Sequence, residues 1–168
     1  MSILRIIGLL IFAGGATACG EDQRAATDCQ NPPDARRMVE ACTQMIADRP
    51  KSAVAYNNRC QAHNQLDEPA KALPDCDMAI QLEPRNASAY NNRGWAREIR
   101  GEFDLALKDY DKAIEIDPKL AVAFANRGDV YAKKGDRAQA ILEYRQALAL
   151  QPDNDVARNG LKRLGAAP

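Results

Sequence analysis

Thiols and a single imidazole are the side chains best suited to chemistry in this 168-residue chain. The chain has five cysteines, Cys19, Cys29, Cys42, Cys60 and Cys76, and one histidine, His63. His63 lies one helical turn after Cys60, a spacing that zinc sites use, and Cys42 and Cys76 could complete such a site. In an oxidising compartment the same thiols would pair as disulfides instead. The compartment therefore decides between the two chemistries.

An export signal is indicated at the amino terminus. Arg5 precedes an apolar run over residues 6–13, and small residues follow up to Ala18. This pattern predicts a secretory signal peptide over residues 1–18. The apolar run is shorter than the roughly 20 residues that span a bilayer. Export favours disulfides, so we expect the four cysteines after Cys19 to form two bridges, in one of three possible pairings.

Cys19 would be the first residue after the signal peptide. The preceding Ala16-Thr17-Ala18 suits an ordinary signal peptidase, but together with Cys19 it also resembles a bacterial lipobox, in which the cysteine carries a diacylglycerol. The usual leucine of that motif is Ala16 here. We favour lipidation of Cys19 because it uses the odd thiol, with residues 19–33 as a tether and lead segment. The expected location is the periplasm, with contact to a bacterial membrane only through this anchor.

Charge and motif content argue against several function classes. The chain carries 23 Lys and Arg against 23 Asp and Glu, without the basic excess of a nucleic-acid-binding protein. It contains no Ser-His-Asp spacing signature, no Gly-rich phosphate loop and no carboxylate cluster with metal-ligand spacing. We therefore predict no nucleic-acid partner, no enzyme activity and no cofactor or metal.

A 34-residue repeat determines the predicted fold. Asn-Arg recurs at 58–59, 92–93 and 126–127, and proline recurs with the same spacing, at Pro84, Pro118 and Pro152. The repeat units are residues 53–86, 87–120 and 121–154. The pattern of each unit predicts two helices, such as 88–100 and 104–116 in the second unit. In that unit the first helix is ended by glycine and the second by Asp-Pro. One unit cannot bury its apolar face alone, so the units must stack in an all-α fold.

These residues resemble the tetratricopeptide repeat family, whose pattern places aromatic residues, glycine, alanine and proline at fixed unit positions. The third unit supplies Phe124, Gly128, Tyr131, Ala140, Tyr144, Ala147 and Pro152. The resemblance implies a right-handed α-α superhelix over residues 34–168. In it, an extra helix at 34–48 precedes the three units and a capping helix at 155–164 follows them. It also implies a protein-binding scaffold.

Unit positions 7 and 23 depart from the family pattern. Position 7 is arginine in every unit, where leucine is usual, and position 23 is always acidic. We predict ion pairs within each unit, namely Arg59–Asp75, Arg93–Asp109 and Arg127–Glu143. The alternatives are pairing with the preceding unit and arginines with solvated head groups.

The family pattern also suggests how the cysteines pair. In the first unit, Cys60 replaces the usual glycine at position 8 and Cys76 replaces the usual aromatic residue at position 24. Both positions face the gap between the two helices, which indicates a Cys60–Cys76 bridge and leaves Cys29–Cys42 as the second. Zinc is disfavoured because the position of His63 is a packing position, filled by Tyr131 in the third unit.

The first helices of such a superhelix line its concave side. Their exposed positions predict a partner-binding stripe of amides around the single tryptophan, formed by Asn57, Asn58, Gln61, Asn91, Asn92, Trp95, Asn126 and Asp129. The alternative is that these asparagines hold local helix contacts.

Relatives that grip the carboxylates of chaperone tails use basic residues in this groove. Because position 5 is Asn57, Asn91 and Ala125 here, we do not predict chaperone-tail binding.

Three functions follow as hypotheses. The favoured one is an interaction module of the bacterial cell envelope that binds a protein or peptide through the concave face. The alternative is an accessory subunit that docks within an envelope complex through its outer or end surfaces. A weaker possibility is a thiol-redox role for Cys60 and Cys76.

Overall fold

The computed structural model describes residues 27–30, 32 and 34–167, and helices are the regular secondary structure in this part of the chain. They are α1 (Ala35–Asp48), α2 (Ala53–Gln65), α3 (Pro69–Leu82), α4 (Ala87–Ile99), α5 (Phe103–Ile116), α6 (Ala121–Lys133), α7 (Arg137–Leu150) and α8 (Asp155–Arg163). Residues 27–30 are also helical. The all-α prediction is confirmed. The predicted signal peptide and Cys19 lie outside the described residues.

The helices pair as the repeat predicts. α2 packs on α3, α4 on α5 and α6 on α7, and the pairs stack in chain order. In addition, α2 contacts α4, α4 contacts α6 and α6 contacts α8, so the first helices of successive units form one continuous layer. Within the described ranges, no helix combines the length and the apolar character needed to cross a bilayer.

Local signals explain where the helices begin and end. The side chains of Ser52, Asn86 and Asn154 accept hydrogen bonds from the first turns of α2, α4 and α8. Gly101 and Gly135 adopt φ values of 75° and 83° after α4 and α6, a left-handed conformation that ends a helix at little cost for glycine.

Alanine, glycine and tyrosine set the distance between the two helices of a unit. Six repeated alanines are fully buried: Ala72, Ala79, Ala106, Ala113, Ala140 and Ala147. The ring of Tyr110 lies directly over Gly94, where an added Cβ would approach the Tyr110 ring to 2.7 Å. Gly128 lies under Tyr144 in the same way. A large ring over a residue without a side chain fills the space between the helices.

The first unit uses sulfur in place of this ring-over-glycine contact. Cys60 and Cys76 occupy the unit positions of Gly94 and Tyr110, and their sulfur atoms lie at bonding distance. Cys29 and Cys42 form the second pair and tie the segment before α1 to that helix. All four side chains are fully buried. The sulfur atoms thus come together in the pairing that the sequence predicts.

Each position-7 arginine binds the acidic residue of its own unit, and these predicted pairs are confirmed. Nitrogen–oxygen distances are 2.6 Å for Arg59–Asp75, 2.7 Å for Arg93–Asp109 and 2.9 Å for Arg127–Glu143. The alternative of solvated head groups is wrong, since the three arginine side chains are only 18–19% exposed. Arg59 and Arg93 each use two nitrogens on the carboxylate and Arg127 uses one, and each pair orients the two helices that carry it.

The same arginines also reach the preceding unit, at a position that the sequence reasoning did not consider. Arg93 binds Asp77 at 2.7 Å, and Arg127 binds Asp111 at 2.6 Å. Each guanidinium also lies over the aromatic ring three residues before it, 5.4 Å from Tyr90 in the case of Arg93. One side chain therefore joins two units.

Candidate partner-binding groove

A groove of about 490 Å³ runs across the layer of first helices. It is lined by Asn57, Asn58, Gln61, Ser88, Asn91, Asn92, Trp95, Leu120, Val122, Asn126 and Val156. These residues come from α2, α4, α6 and α8 and from the turn before α6. Of the eight predicted binding residues, all except Asp129 line this groove.

One part of the groove lining is apolar. Trp95 is partly exposed, and Val122 and Val156 are 37% and 39% exposed. Val122 occupies unit position 2, as does the exposed Val54, and Val156 occupies the corresponding position of α8, 34 residues after Val122. The sequence prediction left these valines out although their position repeats. The indole N–H of Trp95 has no hydrogen-bond partner among the described residues and is free to donate to a ligand.

The amides of the groove form one continuous hydrogen-bonded chain across three helices. In order, the side-chain N–H groups donate from Asn126 to Asn91 (3.1 Å), from Asn91 to Asn92 (3.5 Å), from Asn92 to Asn57 (3.0 Å), from Asn57 to Asn58 (3.2 Å) and from Asn58 to the carbonyl of Cys29 (2.9 Å). Every amide therefore donates in the same direction along the stack.

This chain fixes the amides without exhausting their bonding capacity. Asn91 and Asn92 are 5% and 6% exposed, so part of their role is to join neighbouring helices. An amide has two N–H donors and an oxygen that accepts twice. Asn57, Asn91 and Asn92 each use one donor and one acceptor position in the chain, so they hold local helix contacts, and their partner-binding role stays a prediction.

Asp129 is separated from the groove by its own contacts. Its carboxylate accepts hydrogen bonds from the hydroxyl of Tyr144 at 2.6 Å and from Arg163 at 2.7 Å. It lines a second depression of about 420 Å³ with Ala132, Lys133 and Arg163. The sequence prediction did not include these contacts, because Tyr144 lies on α7, the second helix of the same unit, and Arg163 lies on α8, outside the units.

A similar cluster surrounds Glu98. It accepts hydrogen bonds from Tyr110 at 2.7 Å and from Lys133 at 2.8 Å. Burial, followed by the charge and hydrogen bond of Glu98, raises the pKa of the Tyr110 hydroxyl well above its ordinary value. Burial and then Asp129 raise the pKa of Tyr144. Both phenols thus serve as structural donors.

His63 and the cysteines are held within the packed first unit. His63 is 8% exposed, with Nδ1 2.8 Å from Glu68 and Nε2 4.0 Å from Asp75. Nowhere in the described part of the chain do three His, Cys, Asp or Glu side chains group closely enough to hold a metal. The sulfurs of Cys60 and Cys76 are fully buried, whereas thiol exchange needs an accessible sulfur. We therefore do not propose a redox function for this pair.

The repeat units match known family models. One model, described as tetratricopeptide repeat, matches residues 53–86 and 87–120. A second model with the same description matches residues 121–154. The chain belongs to the tetratricopeptide repeat family. Its superhelical fold is the fold of that family, in which paired helices typically serve as a scaffold for protein interactions and not as an enzyme.

Solved structures place this tetratricopeptide repeat chain among known domains. The Arabidopsis OM64 tetratricopeptide repeat domain is 30% identical, with 68% of this chain and 94% of that chain covered and a TM-score of 0.64. The second such domain of human RPAP3, in complex with an HSP70 peptide, is 24% identical, with coverage of 68% and 96% and a TM-score of 0.61. MamA is 17% identical, with 83% of each chain covered and a TM-score of 0.64. No curated protein matches the chain.

Proposed function

We propose that this chain is an interaction module whose concave groove binds an extended segment of a partner protein. The observation that carries the proposal is the groove itself, in which a partly exposed tryptophan lies beside amides already fixed by a hydrogen-bonded chain. Preorganised donors and acceptors reduce the entropy lost on binding, and tryptophan is enriched at binding hot spots. Two structural neighbours support the proposal, since the second RPAP3 domain is bound to an HSP70 peptide and the first domain of Spaghetti to an HSP90 peptide.

We further propose that the module acts in a bacterial envelope, exported by residues 1–18 and anchored through a lipid on Cys19. The basic, apolar and small-residue pattern of the amino terminus supports export. Two cysteine pairs at bonding distance support an oxidising compartment. Intact mass of the mature protein and fractionation of cells test this. A mature chain that begins at Cys19 with an added diacylglycerol is expected, and an uncleaved cytosolic chain would contradict it.

The groove is tested by a pair of alanine variants. Trp95→Ala removes the aromatic surface of the groove. Leu142→Ala removes an apolar side chain that is 60% exposed on α7, the second helix of the third unit. Partners are captured from envelope extracts and identified, and their affinity is then measured by calorimetry with purified proteins. We expect Trp95→Ala to weaken binding by about tenfold or more, and Leu142→Ala to bind as the parent does.

Thermal melting of both variants provides the control. Because Trp95 is only partly exposed, its loss should lower the melting temperature, and binding is compared at a temperature at which both variants are folded. If Leu142→Ala loses the partner and Trp95→Ala keeps it, docking occurs through the outer surface, and the accessory-subunit alternative is correct.

A further inference from the structure

We infer, on the basis of the function proposed above, that the groove selects an extended, uncharged peptide segment with one large apolar side chain and rejects acidic segments. This assigns a ligand chemistry to the concave face that differs from the acidic peptides bound by the RPAP3 and Spaghetti domains, whose sequences are SGPTIEEVD and SRMEEVD.

Charge is the first argument. Among the described residues, the side chains that line the groove are asparagine, glutamine, serine, tryptophan, leucine and valine, none of which is ionised. The cations of the neighbouring depression, Lys133 and Arg163, are already bound to Glu98 at 2.8 Å and to Asp129 at 2.7 Å. A carboxylate that entered the groove would lose hydration without gaining a cationic partner. Acidic segments are therefore disfavoured.

The apolar surface of the groove is the second argument. Trp95, Val122 and Val156 line the same groove, and both valines remain more than one-third exposed. Covering them with a leucine or phenylalanine side chain removes apolar area from water on both molecules, at about 25 cal/mol per Å². A segment composed only of small polar residues would leave this area exposed. The groove therefore favours one large apolar side chain.

The amide chain is the third argument, and it accounts for the preference for a peptide. Each residue of an extended peptide offers one N–H and one carbonyl. Asn57 and Asn126 are partly exposed in the groove, each keeps a second N–H donor and acceptor capacity on its amide oxygen, and their orientation is fixed by their neighbours. Polar groups that can both donate and accept match a peptide backbone better than they match a lone charge.

The span of the groove indicates the length of the segment. The lining comes from four neighbouring helices, α2, α4, α6 and α8. Packed helices lie about 8–10 Å apart, so three such spacings cover about 24–30 Å. At roughly 3.3 Å per residue, an extended segment of about seven to nine residues fits this distance.

A displayed library of random nonapeptides between uncharged linkers tests the inference. The library is selected in parallel on the full chain, on Trp95→Ala and on Val122→Lys. On the parent we expect depletion of Asp and Glu and enrichment of a single Leu, Phe or Trp. Selected peptides that contain no tryptophan are then synthesised and titrated while the emission of Trp95, the only tryptophan of the chain, is followed. Replacing the apolar residue by Ala should weaken binding about tenfold, and replacing it by Asp should weaken it further.

Val122→Lys is the matched gain-of-specificity variant. It places a cation in the groove at a side chain that is already 37% exposed, so the fold should tolerate it. We expect this variant to accept acidic residues that the parent rejects. If Val122→Lys rejects acidic residues as the parent does, the charge argument is contradicted.

The outcomes separate the inference from the proposed function. Acidic peptides that bind the parent and depend on Trp95 would overturn the inference and leave the groove as the binding site. Peptides that bind Trp95→Ala equally well, or no selected peptides at all, would overturn both. Sedimentation tests whether a second copy of the chain occupies the groove. A dimer that dissociates when Trp95 is replaced by Ala would assign the groove to that second copy.

Discussion

At the scale of the residue, a missing side chain sets the helix spacing in two of the three units. Alanine at position 94 would place its Cβ 2.7 Å from the ring of Tyr110, which is fully buried. In an open helix, glycine to alanine is stabilising by roughly 1 kcal/mol. Here we expect the opposite, a loss of about 1–3 kcal/mol in the free energy of unfolding, because the ring has no space into which to move.

Urea unfolding of Gly94→Ala measures this loss, and a double variant identifies its cause. Tyr110→Leu removes the ring, so alanine at position 94 should cost much less in that background than in the parent. Equal costs in the two backgrounds would show that the contact between Gly94 and Tyr110 is not responsible.

The buried phenols make stability depend on alkaline pH. Burial and the nearby carboxylates raise the pKa values of Tyr110 and Tyr144 above the ordinary value of about 10. In the unfolded chain both phenols ionise near pH 10, whereas in the folded chain they stay protonated. Their contribution is therefore complete below pH 10 and is lost as the pH rises towards the folded-state values, so stability should fall above pH 10.

Urea titrations between pH 8 and pH 11, with tyrosinate absorbance followed in parallel, measure this dependence. The variant Tyr110→Phe should show a shallower decrease in stability above pH 10 than the parent does. An identical pH dependence in the two chains would contradict the role assigned to Tyr110.

At the scale of the element, most of the fold could be predicted from the repeat. The helices predicted at 88–100 and 104–116 are observed at Ala87–Ile99 and Phe103–Ile116, because glycine and Asp-Pro end helices by local chemistry. The contacts between units could not be predicted in the same way. Asn92 pairs with Asn57 and Asn126 pairs with Asn91, each across 35 residues and not 34. That offset depends on how neighbouring helices are displaced in the stack.

The amides of the candidate site and Trp95 were predicted, whereas Ser88 and the aliphatic residues of the groove were missed. The prediction included Trp95 and the asparagines because their types suggested binding, and it passed over Val122 and Val156 although these valines lie 34 residues apart. It also included Asp129, whose partners Tyr144 and Arg163 belong to other elements. Residue type and spacing thus identify the exposed face, and packing decides which of its residues share a groove.

The Cys60–Cys76 pair and the ring-over-glycine contact are two solutions to one packing problem, so they should be exchangeable. We predict that the double substitution Cys60→Gly with Cys76→Tyr restores a stable first unit without a disulfide. The new hydroxyl would have an acceptor, since Asn64 occupies the unit position of Glu98 and its buried Oδ1 has no hydrogen-bond partner among the residues that the structure describes. A bridge between residues 16 apart contributes about 3 kcal/mol, and the buried ring should recover about 2 kcal/mol of it.

Urea unfolding under reducing conditions compares this double variant with the reduced parent and with Cys60→Ser, Cys76→Ser. We expect the chain with glycine and tyrosine to be the most stable of the three. A stability at or below that of the double-serine chain would show that the first unit does not have the inter-helix geometry of the other two.

At the scale of the whole molecule, stability depends on contacts between neighbouring units. Arg93 and Arg127 each bind carboxylates in two units, and the asparagine chain crosses three first helices. In a stacked repeat each unit contacts only its neighbours, so the end units depend on whatever covers their outer faces. At the carboxyl end this cover is α8, which buries Ala157 and Leu161.

Removing residues 155–168 should therefore uncouple the last unit from the middle one. The deletion takes away the apolar contacts of α8 and the Arg163 partner of Asp129, while the described lining of the groove around Trp95 loses Val156. In the parent we expect far-UV circular dichroism, which reports all helices, and Trp95 emission to change at one urea concentration. In the truncated chain the dichroism should begin to change at lower urea than the emission, because α6 and α7 unfold first.

Removing only residues 167–168 keeps α8 and should leave the two transitions coincident. Coincident transitions in both truncated chains would mean that the units unfold together without their cap, and that the arginine and asparagine bridges couple them more strongly than the apolar contacts of α8 do.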